Sequence, residues 1–120
     1  MGKVFPTYLN DRVYTCSTCH THLSDHDSLI SKAFHGRLGR AYLFSKVVNV
    51  STGQVEDRLL ITGLHTVADV FCDVCQTTVG WKYIYAYEDS QRYKIGKFVL
   101  ERERIVKEND WEESEEEEEA

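Results

Sequence analysis

Four cysteines are the residues best placed to do chemistry, and their spacing says which chemistry. Cys16-Ser17-Thr18-Cys19 and Cys72-Asp73-Val74-Cys75 form two C-x-x-C pairs 52 residues apart, and there is no fifth cysteine. Each pair presents two thiolates from one tight turn. Two such turns complete a tetrahedral zinc site with four sulfurs at about 2.3 Å. One pair alone would suit a redox dithiol equally well. Two pairs with nothing left over favour one Zn²⁺ on Cys16, Cys19, Cys72 and Cys75. A closed four-sulfur site leaves no position for water, so the expected role is structural rather than catalytic.

Three histidines, His20, His22 and His26, follow the first pair and are spare ligand candidates. With four cysteines available they read as part of a polar loop. His35 reads as a loop histidine. His65 is expected to make a structural hydrogen bond, and its place ahead of Cys72 lets it face the Trp81 strand.

The rest of the chain must bring two distant turns together. At 120 residues and 42% hydrophobic it is long enough for one modest core. No apolar run approaches the ~18 residues of a membrane span. The N-terminus lacks a signal-peptide apolar region, and Pro6 breaks the myristoylation pattern. An intracellular chain is expected, where paired cysteines stay reduced and bind metal.

Charge divides the chain unevenly. Residues 1–107 hold 14 Lys and Arg against 11 acids, or +3; residues 108–120 hold nine acids and no base, or −9. A Zn²⁺ with four thiolates brings the first part to about +1. A nucleic-acid binder usually carries a strongly basic face, so none is expected here. The expected organisation is a zinc-binding domain over 1–107 and a disordered acidic tail over 108–120, with Trp111 its one apolar exception.

Several segments read as strands. Arg12–Thr15 feeds the first cysteine pair, His20–Asp27 is too polar to bury much, and Leu29 and Ile30 begin a return strand. Val4 and Phe5 in the lead-in are candidate docking residues. Phe34–Arg40 is a glycine-punctuated surface loop whose two glycines would allow an anion to approach, although it is no P-loop. Ala41–Val50 is a buried strand and Ser51-Thr52-Gly53 a turn. Val55–Leu64 is a strand with Leu59, Leu60 and Ile61 buried, and His65–Phe71 leads into the second pair. Val79–Tyr87 places Trp81, Tyr83, Tyr85 and Tyr87 on one face by period two. Glu88–Lys94 is a charged, solvated loop with a helical turn, and Lys97–Arg102 is the last strand. The fold class is all-β, with one metal joining two halves.

The framework resembles the yippee-like family. Cys16 and Cys19 are followed at the family's intervals by Gly39, Leu43, Asn49, Gly63, Cys72 and Cys75. Gly80-Trp81-Lys82-Tyr83, Lys94 and Glu101 complete the pattern, so the match covers residues 16–101. The family is similar in fold to the thalidomide-binding domain of cereblon, to Mis18 proteins and, more distantly, to methionine sulfoxide reductase B. That implies a β-tent, two antiparallel sheets meeting steeply and pinned by zinc. Members are small proteins of nucleus and cytoplasm, and one animal branch is associated with a multisubunit ubiquitin ligase. Trp81 and Tyr83 match part of the cereblon aromatic cage that binds a cyclic imide. The cage's other tryptophans have no counterpart here, and His65 is the nearest candidate.

These readings lead to a non-enzymatic, zinc-stabilised interaction module with protein partners, an adaptor or subunit of an intracellular assembly. The alternative is a small-ligand-binding domain with a pocket around Trp81, Tyr83 and His65. Reductase-like chemistry would need a nucleophilic cysteine beyond the zinc ligands, and none remains.

Overall fold

The computed structural model describes residues 6–111. Nine strands follow one another: β1 (Val13–Cys16), β2 (His22–Asp25), β3 (Leu29–Gly36), β4 (Gly39–Phe44), β5 (Val50–Leu60), β6 (Gly63–Cys72), β7 (Thr78–Ala86), β8 (Phe98–Glu101) and β9 (Ile105–Lys107). They form two sheets, β2-β1-β9 and β3-β4-β8-β7-β6-β5. Every pairing is antiparallel. The all-β architecture of two antiparallel sheets is the expected one.

Strand β4 explains how the layers are built. Tyr42 and Phe44 join the larger cluster with Tyr14, Leu23, Val70, Val79 and Leu100, where the sheets meet. Ala41 and Leu43 join a second cluster with Val67, Tyr83 and Val99, backed by Phe34, Leu60 and Trp81. Alternate residues of a strand face opposite sides, so β4 is covered on both faces and carries apolar residues at both parities. In β7, Gly80 pairs with Leu100. A Cβ at residue 80 would lie 2.8 Å from the Val99 carbonyl carbon, so only glycine lets β7 and β8 approach here.

Several sequence expectations are corrected. His20–Asp27 is not all loop: β2 runs through it, Leu23 is fully buried, and Ser24 Oγ donates to the Lys46 carbonyl at 2.6 Å. One apolar residue among polar ones carried too little periodic signal. The strand expected over Ala41–Val50 stops at Phe44. Asn49 then takes φ 60°. Ser51-Thr52-Gly53 is no turn but part of β5, with an irregularity between Thr52 and Val55. Leu59 and Ile61 are not buried; they are 82% and 100% exposed, on an edge strand and at its hairpin tip.

Two further segments are reshaped. Phe34–Arg40 is a tight hairpin in which Gly36 pairs with Gly39, leaving only Arg37 and Leu38 in the turn. Lys97–Arg102 is not the last strand, because β9 follows and pairs with β1. Beyond β9, Glu108–Asp110 make a 3₁₀ turn, and the Trp111 ring meets Tyr14 edge-on at 5.4 Å. Val4, Phe5 and residues 112–120 lie outside the described residues. Among the described residues, no helix is long and apolar enough to cross a membrane.

Candidate metal centre and aromatic pocket

The two cysteine turns are built alike. In the first, the Cys16 N–H donates to the Thr21 carbonyl and the His20 N–H to the Cys16 carbonyl, both at 2.8 Å. In the second, the Cys72 N–H donates to the Thr77 carbonyl at 2.9 Å and the Gln76 N–H to the Cys72 carbonyl at 2.8 Å. His20 and Gln76 both take positive φ, 65° and 67°, where each turn closes. Thr21 Oγ1 lies 3.0 Å from Cys19 Sγ, and Thr77 Oγ1 lies 3.1 Å from Cys75 Sγ. The shared pattern C-x-x-C-x-T is legible in the sequence as a threonine repeated two residues after each pair.

The tertiary structure brings the turns together at the junction of the sheets. Cys16 ends β1 of the smaller sheet, and Cys72 ends β6 of the larger. The four sulfurs all lie within 4.8 Å of one another. Cys16 and Cys75 are 3.6 Å apart, and Cys19 and Cys72 are 3.5 Å apart. A tetrahedron with zinc–sulfur bonds near 2.3 Å has edges of about 3.8 Å, so the spacing fits one Zn²⁺. A disulfide would need about 2.05 Å.

Burial governs the protonation of two of the thiols. It pushes Cys16 up to about 12, against the N–H groups of Cys19 and Thr18. Burial raises Cys72 in the same way. It also acts on Cys75, but hydrogen bonding with the Thr77 hydroxyl and N–H, and with Cys16 and Cys19, more than reverses it and holds this thiol at about 6. A bound Zn²⁺ requires thiolates, so binding must expel protons from the buried pair. None of His20, His22 and His26 belongs to the cluster. His22 instead accepts from the Leu9 N–H at Nδ1 and donates from Nε2 to Glu108, at 2.9 and 3.2 Å.

A family model described as Yippee zinc-binding/DNA-binding/Mis18, centromere assembly, matches residues 12–120. The chain belongs to this family. It is 54% identical over 111 residues to yippee-like 3 of human, and equally to those of mouse and cattle, covering 91% of this chain and 93% of theirs. The crystal structure of the Mis18 "Yippee-like" domain superposes with a TM-score of 0.64 at 13% identity, over 85% of this chain and 96% of that one. That likeness establishes the fold. Membership in a zinc-binding family and the sulfur geometry together assign one Zn²⁺ to the four cysteines.

A second feature lies at the smaller hydrophobic cluster. A pocket of about 630 Å³ opens between the end of β3, the β5–β6 hairpin, β7 and the 3₁₀ turn Asp89–Lys94. Trp81 and Tyr83 both line it. His65 does not: it is fully buried, donates from Nδ1 to the Gly63 carbonyl at 2.9 Å, and its ring lies 5.2 Å from that of Tyr83. The four-aromatic stripe is broken as well. The β6–β7 register shifts between the pairs Val67–Tyr83 and Thr66–Tyr85, so Ile84 is an extra residue. Beyond it Ala86 is buried, while Tyr85 and Tyr87 are exposed. A bulge reverses face parity, and strict period two could not foresee it.

Lys94 departs furthest from expectation. Read as part of a solvated loop, it is 3% exposed. Its Nζ lies 5.2 Å from the ring centres of both Phe34 and Tyr83 and 3.1 Å from Thr62 Oγ1. Burial holds its pKa below the usual lysine value. His35, expected in a loop, belongs to β3 and lines the pocket. Phe34 and Lys94 join the site through tertiary contact, and nothing in the sequence distinguishes them from other residues of their kind.

Proposed function

We propose that this chain is a non-enzymatic, zinc-stabilised interaction module. It acts as an adaptor or subunit of a larger intracellular assembly, in nucleus or cytoplasm, and presents the pocket around Trp81 and Tyr83 to a protein partner. The observation that carries this reading is the 630 Å³ pocket on the sheet face away from the metal, walled by Trp81, Tyr83 and Phe34. A half-buried tryptophan in a concave wall is a typical anchor for a partner side chain. The metal supports the same reading, because a closed site with all four cysteines engaged supplies neither an open coordination position nor a spare thiol. A role within a ubiquitin ligase belongs to this proposal only as one setting for such an adaptor.

The family description also mentions DNA binding. The charge of this chain, +3 over residues 1–107 and −9 beyond, favours a protein partner over nucleic acid. A second reading, a small-ligand-binding domain, rests on the same pocket.

Proximity labelling in cells, comparing wild type with Trp81→Ala at equal zinc content, tests the proposal. Partners lost in the variant support it. An unchanged set of neighbours with an intact fold overturns it. Exposed Lys and Arg variants that abolish binding to duplex DNA, in a chain that binds it tightly at physiological salt, would favour the nucleic-acid alternative.

A further inference from the structure

The lining of the pocket has an uneven chemistry. Its basic side chains are His35, Arg37, Arg58 and Lys94, its only other titratable groups are the phenols of Tyr83 and Tyr93, and no carboxylate is among them. Arg58 is neutralised by Glu56 at 2.6 Å and Asp69 at 3.0 Å. Glu101, close by, already accepts from the Arg37 and Leu38 N–H groups. Lys94 is different. Among the described residues no carboxylate pairs with it, and its one hydrogen bond goes to the Thr62 hydroxyl. An ammonium group has three donors, and aromatic faces accept its charge without satisfying them.

The other polar atoms narrow the ligand. Trp81 Nε1 is buried; it meets no acceptor at full hydrogen-bond geometry and leans on the Tyr83 hydroxyl, whose ionised form it favours. With Lys94 it makes a second donor beside the same aromatic walls. Gln91 Oε1 is a buried acceptor without a partner, on the turn that closes the pocket. Two donors, one of them a cation, call for an anionic acceptor. A lone acceptor beside them calls for an N–H, which a peptide backbone carries. The volume, about 630 Å³, exceeds what one side chain fills and leaves room for its neighbours.

We propose that the pocket takes an acidic side chain, Asp or Glu, from a peptide segment of a partner protein. The carboxylate lies against Lys94 and Trp81, the stem against Phe34 and Tyr83, and a backbone N–H of the segment against Gln91. This deepens the interaction-module reading and rests on it. A carboxylate would give the buried ammonium the counter-charge it lacks, and a hydrogen-bonded charge pair is the stronger kind of contact. Because the site supplies the cation, an amide of the same shape leaves Lys94 uncompensated.

The test is selection of phage-displayed random heptapeptides on the zinc-loaded full chain, with counter-selection on Trp81→Ala. Each winner is then resynthesised with its acids changed to Asn or Gln. The expected result is Trp81-dependent heptapeptides that share an acidic position and weaken about tenfold or more as amides. That preference should disappear on Lys94→Met and persist on Lys94→Arg, with zinc content and melting temperature recorded for each variant. Lys94→Met removes an uncompensated buried charge, so this variant is expected to fold. Trp81-dependent peptides without a shared acid, or an acid preference unchanged in Lys94→Met, overturn the carboxylate assignment and leave the pocket reading standing. The absence of any Trp81-dependent peptide overturns both.

Discussion

The Glu101 carboxylate occupies the space that a side chain at residue 36 would need. A Cβ on Gly36 would lie 2.7 Å from Glu101 Cδ. The carboxylate accepts from the N–H groups of Arg37 and Leu38, each at 3.1 Å, and so ties the β3–β4 hairpin to the end of β8. Gly36 does admit an anion, and the anion is the protein's own.

That arrangement gives a paired prediction. Gly36→Ala should displace the carboxylate and cost about 2–4 kcal/mol, two charge-assisted hydrogen bonds plus local strain. Glu101→Ala should cost a similar amount. The double variant should lose far less than the sum of the two, because both remove one contact. Urea denaturation of the four proteins checks this, and simple additivity would refute the shared origin.

Replacing Cys72 with Ser should abolish stoichiometric zinc and leave an unfolded or aggregated chain. Without the metal the two sheets lose their shared pin, and structural zinc contributes directly to folding. Metal analysis and circular dichroism measure the two effects. Acid should release zinc from the wild type, since burial favours the protonated thiols of Cys16 and Cys72. Full zinc retention by the Ser variant would contradict this assignment.

Trp81 lines the pocket and packs against the smaller cluster, so Trp81→Ala should remain folded and zinc-loaded. A stability loss of about 1–3 kcal/mol is expected, below the range for a fully buried tryptophan. Fluorescence with Trp111 replaced isolates Trp81. Emission that quenchers reach agrees with an open pocket, whereas strongly blue-shifted, unquenchable emission does not.

Trp111 predicts where the chain can be shortened. Its ring packs on Tyr14 and on His26, at 5.4 and 5.2 Å. Its Nε1 donates to the Val13 carbonyl at 3.3 Å. Ending the chain after Lys107 should lower the melting temperature by several degrees, in line with loss of a packed aromatic. Ending it after Trp111 removes seven acids and one serine with one alanine, and should leave the melting temperature nearly unchanged. Equal melting of the two truncations would rule out a stabilising role for Trp111.

Lys94 makes stability depend on pH in a defined direction. Its folded pKa is depressed below the ordinary 10.5, so the unfolded chain binds the proton more readily. The contribution of this group to stability is therefore complete above 10.5 and is lost as pH falls through the folded value. Relative to Lys94→Met, the wild type should gain stability as pH rises toward 10.5. Tyr83, raised above 10 by burial, acts oppositely above pH 10, but it is common to both proteins and cancels. Parallel pH profiles for the two proteins would contradict the assignment.

The sequence alone determined the metal site and the class of fold. Four cysteines in two identical turns identify their own chemistry, because ligand type and local spacing carry it. Alternating apolar residues in β6 and β7 likewise declare strands. What depended on contacts between distant residues was decided only by the tertiary structure. Leu23 is buried because β2 is pressed against the core by its neighbours, although its own surroundings are polar. Leu59 and Ile61 are exposed because β5 is an edge strand, a fact of sheet order rather than of composition. The inserted Ile84 ends the aromatic stripe, and no local pattern marks a bulge. Lys94 is drawn into an aromatic box by residues up to 60 positions away, so its burial could not be read from the charged segment in which it lies. Periodicity reports what a segment could bury, and only packing decides what covers it.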